Sequence, residues 1–172
     1  SGDDFIVDLV DRGTVKQELI RIGYPVKDEA PLREGEHLDV TLRGQTQTGH
    51  PFTVRDYQAD AARSFTGRDE PGTGFGTVVL PCGSGKTIVG IKIMELLKTS
   101  TLIITTNIAA VHQWIEELTD KTTMDRDSIG EYTGDRKEIK PITIATYQIL
   151  TWRPDKDAEF PHFSLFHSRS WG

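Results

Sequence analysis

One cysteine, Cys82, stands among 172 residues, which excludes a disulfide framework and fits a reducing compartment. No apolar run approaches the 18 or more residues of a membrane-spanning helix. Ser1-Gly2-Asp3-Asp4 lacks the basic segment and following apolar stretch of a secretory leader, so the expected location is cytoplasmic. Positive charge is also short, with 20 basic against 26 acidic side chains and a net charge of −6. Binding to nucleic acid through a global basic field is therefore excluded, and any such binding has to rest on local sites. No segment repeats at a fixed period, and none is low in complexity.

What remains is ordinary for a globular domain, with 36% hydrophobic and 27% charged residues. Residues 1–50 read as a small α+β appendage. Thr14 is placed to cap a helix over 15–22 that turns Val15, Leu19 and Ile20 to one face, and Gly23 and Pro25 end it. Leu38 to Leu42 alternates as a half-buried strand, and Gly44 to Gly49 is a loop that marks the boundary. Residues 54–65 follow as a helix with Val54, Tyr57, Ala61, Ala62 and Phe65 inward, and Gly67 to Gly76 as a second loop. From residue 77 strand and helix alternate. Strands are expected at 77–80, 101–105, 128–132 and 142–145, and helices at 86–98 and 108–118, the latter with Ile108, Val111, Ile115 and Leu118 inward. Shorter helical pieces are expected at 147–152 and 162–168. Such alternation implies a parallel sheet in an α/β layer.

Pro81-Cys82-Gly83-Ser84-Gly85-Lys86-Thr87 lies between the first of these strands and a helix, the context a phosphate-binding loop needs. Gly83 and Gly85 allow backbone N–H groups to turn around an anion, and the helix from Lys86 points its positive end at the same place. In that role Lys86 bridges the β- and γ-phosphates of ATP and Thr87 offers its hydroxyl to Mg²⁺. Leu80 occupies the position where the full consensus has glycine. Two other patterns carry little. Gly72-Thr73-Gly74-Phe75-Gly76 precedes its strand, against the order of a dinucleotide fingerprint. Cys82, His112, His162 and His167 lack metal-ligand spacing.

Upstream, Arg55-Asp56-Tyr57-Gln58 places a glutamine 28 residues before Lys86. With the loop at 81–87 it resembles the adenine-reading element of superfamily-two helicases. A glutamine amide can donate to and accept from one adenine edge, and Arg55 can stack on the ring. Thr105-Thr106-Asn107 with Gln113-Trp114 resembles motif Ia, Gly130 to Gly134 motif Ib, and Ile142 to Gln148 motif Ic. Together with Leu-Pro-Cys-Gly-Ser-Gly-Lys-Thr and Phe160-Pro161-His162-Phe163, the wording resembles the XPB branch of DNA repair helicases over roughly residues 52–172. The resemblance implies an incomplete RecA-like lobe over 51–172 behind the 1–50 appendage, with ATP and Mg²⁺ as cofactors and DNA as partner. It implies nucleotide binding by Arg55, Gln58 and Pro81 to Thr87. It implies DNA contacts by Thr105, Thr106, Asn107, Thr133, Gly134, Thr146 and Tyr147, at or just after strand C-terminal ends, where ligands of parallel sheets bind. Asn107 and Thr146 can also cap the helices that follow them, and Trp114 is expected in the core.

In that family an Asp-Glu-x-His motif and a second RecA-like lobe follow the region matched here. The expectation is therefore a helicase part whose sheet has an open slot. The alternative is a nucleotide- or DNA-binding module that completes its sheet with a partner or swapped chain. A small-molecule kinase fits less well, given Leu80 and Gln58. The 172-residue chain by itself is expected not to hydrolyse ATP at a meaningful rate, which a phosphate-release assay with and without DNA checks. DNA-stimulated release that Lys86→Ala abolishes is the result that would overturn it.

Overall fold

The computed structural model describes residues 5–8, 11–26, 35–67 and 74–172. Most of the 67–76 loop, including Gly72 and Thr73, lies outside them. The described helices are α1 (Arg12–Arg21), α2 (Asp56–Thr66), α3 (Lys86–Leu97), α4 (Ile108–Lys121) and the single turn α5 (Tyr147–Leu150). The strands are β1 (Thr101–Thr105), β2 (Ile129–Tyr132) and β3 (Ile142–Thr146), with 3-10 turns at Arg126–Ser128 and Pro161–His167.

The strands form one parallel sheet in the order β1-β3-β2. The chain is therefore a mixed α/β structure of the kind expected for part of a RecA-like lobe. Every residue of β3 is buried, as befits a central parallel strand. Its register sets Thr105 beside Thr146 and Tyr132 beside Ala145, so all three strands end at one edge. Strands β2 and β3 are adjacent and parallel, yet no helix joins them. Instead the chain doubles back along β2, with a bridge from Tyr132 to Lys137 and a bond from Glu138 N to Glu131 O at 2.9 Å, before β3 starts.

The main core gathers Ile88, Ile91 and Met94 of α3, Val111, Ile115 and Leu118 of α4, Met124, and Ile129, Ile142 and Ile144 of the sheet. Val40 belongs to the same core, with Leu38, Leu42, Phe52 and Val54 packed against it. A second cluster joins Tyr132, Ala145, Leu150 and Leu165, with Trp171 against it. As expected, Trp114 packs into the main core, close over Gly90 of α3.

Several sequence expectations are corrected. Residues 77–80 form no strand, and Val79 is 85% exposed. A strand exists only by virtue of a neighbour, and β1, the nearer sheet edge in sequence, is not hydrogen-bonded to it. Residues 38–42 form no regular strand either. They and Arg43 bind the C-terminal ends of α3 and α4 instead, through Leu38 N to Lys98 O at 2.8 Å, Arg43 N to Lys121 O at 2.8 Å and Thr123 N to Thr41 O at 2.9 Å. Helix α1 begins at Arg12, so Thr14 lies inside it and caps nothing, and no residue of it is buried. Ile108, expected inward, is 45% exposed and lies in the first turn of α4, where it lines a groove.

A Cβ at Gly130 in β2 would stand 2.6 Å from the carbonyl oxygen of Glu138. Backbone cannot yield there without losing the doubled-back segment. Gly130→Ala is expected to destabilise the protein by about 1–3 kcal/mol, read as a lowered urea midpoint.

Candidate functional site

The glycine loop at 81–87 leads from the Thr77–Leu80 stretch into α3. Gly83 and Gly85 both have φ of +76°, and Gly85 is the N-cap of α3. The loop is tied by two carbonyls. That of Pro81 accepts from Ser84 Oγ at 2.7 Å and from Lys86 Nζ at 2.9 Å. That of Ser84 accepts from Tyr57 Oη at 2.7 Å and from Gln58 Nε2 at 2.9 Å. Lys86 is exposed and Thr87 half-buried in the first turn of α3.

Helix α2 presents this pair because its first turn is locked locally. Gln58, only 5% exposed, is at the third helical position, and its Oε1 accepts from Arg55 N at 3.0 Å. Arg55 Nη1 donates to Tyr57 Oη at 3.2 Å. A pocket of about 290 Å³ opens beside the loop, lined among others by Phe52, Arg55, Gln58, Gly83 and Gly85. Arg55, Gln58 and the glycine loop, 28 residues apart in sequence, are thus brought together. Tyr57 had been assigned to the core from periodicity. It is 39% exposed and touches the loop, a role that only the packing of α2 on Ser84 reveals.

The other group of residues assembles at the strand ends. A groove of about 690 Å³ is lined by Asn107, Ile108, Ala109, Gly134, Thr146, Gln148, Ile149 and Trp152. Thr106, Asn107, Gly134 and Tyr147 are exposed. Asn107 caps α4, its side chain accepting from Ala110 N at 2.9 Å. Thr105, Thr133 and Thr146 are buried, and two of their hydroxyls are committed internally. Thr105 Oγ1 donates to Ala145 O at 3.3 Å and Thr133 Oγ1 to Glu131 Oε1 at 3.0 Å. Thr146 stands at the N-cap of α5 without making a side-chain cap, which corrects that expectation. Gln148, whose amide donates to Thr106 O, and Trp152, which is 52% exposed, join the groove without having been singled out from sequence. The signal for Gln148 was its place at the end of the motif-Ic wording.

Behind the groove, His162 Nδ1 lies 2.9 Å from Tyr132 Oη, with Trp152 beside its ring. Lys137 reaches over Tyr132 and donates to the carbonyls of Thr133 and Gly134. Partial burial, then the Lys137 charge, depress the His162 pKa, and burial raises that of Tyr132. The described residues include no cluster of metal-ligating side chains and no helix long and apolar enough to cross a membrane.

The family model described as type III restriction enzyme, res subunit, matches residues 51–164. The chain is 45% identical over 170 residues to the DNA 3'-5' helicase XPB of Mycobacterium tuberculosis, covering 99% of this chain and 29% of that protein. It is 41% identical over 170 residues to the protein of the same name from Kineococcus radiotolerans, covering 99% and 28%. It is 31% identical over 177 residues to the general transcription and DNA repair factor IIH helicase/translocase subunit XPB of Encephalitozoon cuniculi, covering 99% and 25%. The chain thus spans less than a third of the length of these relatives.

For His162, the depressed pKa means that the folded state resists protonation, so its effect on stability is nil above the unfolded value near 6.5 and turns unfavourable as pH falls below it. NMR titration of the His162 ring is expected to give a midpoint below the ordinary histidine range, and Lys137→Ala to move it upward.

Proposed function

Because the chain belongs to the helicase family of the type III restriction enzyme res subunit, we propose that it is the nucleotide-binding part of an XPB-like, ATP-dependent DNA helicase or translocase. The observation that carries this reading is the loop of Pro81–Thr87 seated on the first turn of α2. Two left-handed glycines, an exposed lysine and a threonine in the first turn of α3 fit a triphosphate with Mg²⁺. Lys86 would exchange the Pro81 carbonyl for phosphate oxygens, and Thr87 would hold the metal, whose charge offsets that of the phosphates.

Gln58 retains what base reading requires. Its amide has two N–H donors and an oxygen with two lone pairs, and one of each is used on Ser84 O and Arg55 N. One donor and one acceptor remain, the complement of adenine N7 and N6. The pocket beside Arg55 and Phe52 is the proposed seat of the base.

DNA is proposed to run along the strand-end groove. Thr106, Asn107, Gly134 and Tyr147 are its exposed contacts, and the buried Thr105, Thr133 and Thr146 shape the edge. The remainder of a helicase is the proposed protein partner, in the cytoplasm at the nucleoid. A second reading, a binding module that completes its sheet with another chain, draws on the unpaired 77–80 segment and the exposure of Val79.

Lys86→Ala is expected to weaken Mg-ATP binding at least tenfold while leaving the melting temperature nearly unchanged, since an exposed lysine adds little to packing. Calorimetric titration checks this. Equal affinity in the folded variant would contradict the nucleotide site.

A further inference from the structure

We propose that Tyr57 is a positioning residue of the phosphate loop: with the Gln58 amide, its hydroxyl fixes the Ser84–Gly85 peptide in the orientation that receives a triphosphate. The proposal rests on the nucleotide reading above and assigns Tyr57 a part in phosphate binding distinct from recognition of the base.

The direction of the Tyr57 bond follows from its partners. Arg55 has only donors, so its Nη1, 3.2 Å from the tyrosine oxygen, must be giving a proton to that oxygen. The tyrosine proton is then left for the Ser84 carbonyl, 2.7 Å away. The same carbonyl takes the Gln58 amide at 2.9 Å, so both its lone pairs are used on α2. No cis peptide occurs among the described residues, so the Ser84–Gly85 peptide is trans. Holding its carbonyl against α2 therefore turns the Gly85 N–H away from α2.

The fit leaves no slack. A Cβ at Gly85 would stand 2.5 Å from Gln58 Nε2, and Gly85 holds φ of +76°. Glycine permits the contact, but glycine also leaves the peptide free to rotate once its carbonyl is released. The two donors on α2 supply the restraint that the glycine-rich loop cannot supply for itself. A packing role explains Tyr57 less well, because it is 39% exposed and absent from both core clusters.

Tyr57→Phe removes one oxygen and tests the idea. The probes are Mg-ATP and Mg-tripolyphosphate, the second having no base, titrated calorimetrically into the chain, with the amide spectrum recorded in parallel. Both ligands are expected to bind about three- to tenfold more weakly, by similar factors, as befits the loss of one neutral hydrogen bond. The Gly85 amide resonance is expected to move before ligand is added, while those of Leu118 and Ile144 stay in place. A loss confined to ATP would make Tyr57 a base contact and overturn the proposal, as would unchanged affinity for both. Displacement of the core resonances would make it a residue of the fold, with the same consequence. Lys86→Ala separates the two levels. If tripolyphosphate binds the Lys86→Ala variant as tightly as the unmodified chain, the nucleotide reading itself fails. If binding depends on Lys86 but not on Tyr57, only the positioning role falls.

Discussion

Strand β3 is the element on which the rest depends. Among the described strands it alone has neighbours on both sides, and each of its residues is buried. Its parallel register with β1 and β2 sends the chain upward three times and ends it three times at the same level. Thr105 and Thr146 meet there as register partners, and Thr133 follows directly on β2. A parallel sheet leaves carbonyl ends and helix starts together at this edge, so a groove forms whatever the side chains are. The side chains decide its character. The inner hydroxyls of Thr105 and Thr133 are spent on internal bonds, and the outer positions carry Ile108, Gln148 and Trp152.

The phosphate loop obeys a different logic. It has no ladder to hold it, because the segment before it, 77–80, joins no sheet. Its shape comes from two carbonyls that together take four side-chain donors, with the Ser84 N–H also on Pro81 O, and three of the four side chains are ones expected near a nucleotide: Ser84, Lys86 and Gln58. The fourth, Tyr57, ties the loop to a helix 27 residues upstream. Bonds to Pro81 are made by groups that a phosphate would compete for, whereas bonds to Ser84 come from α2 and can persist. In the proposed nucleotide site, the loop would therefore have one grip that the ligand replaces and one that it need not disturb.

Much of this was legible from residues alone. The strand–helix alternation from Thr101 onward is strongly patterned, and β1, α4, β2 and β3 fall where periodicity puts them. The Gly-Ser-Gly-Lys-Thr run fixed the loop and its helix, and Asn107 capped as its type and place suggested. Failures share a cause. The Thr77–Leu80 run is as apolar as a buried strand, but a strand is a relation between segments that composition does not contain. Leu38–Leu42 alternates correctly, yet what it meets is two helix ends, and its backbone bonds follow them. Tyr57 and Ile108 were read inward because helical spacing reports a face without reporting what lies across from it. The three threonines at the strand ends are short polar side chains that satisfy backbone groups as readily as ligands, and only burial separates the two uses.

The acidic balance of the chain bears on the proposed anionic ligands through where the helices leave carboxylates out. Aspartate and glutamate ordinarily stabilise the first turn of a helix, each by roughly 0.3–1 kcal/mol. The chain has 26 such residues to distribute. Among the described α-helices only α2 has one in its first turn, Asp56. Helix α3, which follows the phosphate loop, has none, and α4, which opens the groove, has none. At α4 the cap is the neutral Asn107, which satisfies a backbone N–H without adding charge. At α3 the N-cap is Gly85, which contributes no side-chain bond at all. Both helices forgo a common local stabilisation and keep their positive ends uncompensated. On a molecule of net charge −6, these two helix starts are thus where a proposed phosphate-bearing ligand would meet no first-turn carboxylate, although Glu131 holds one at the strand end through Thr133.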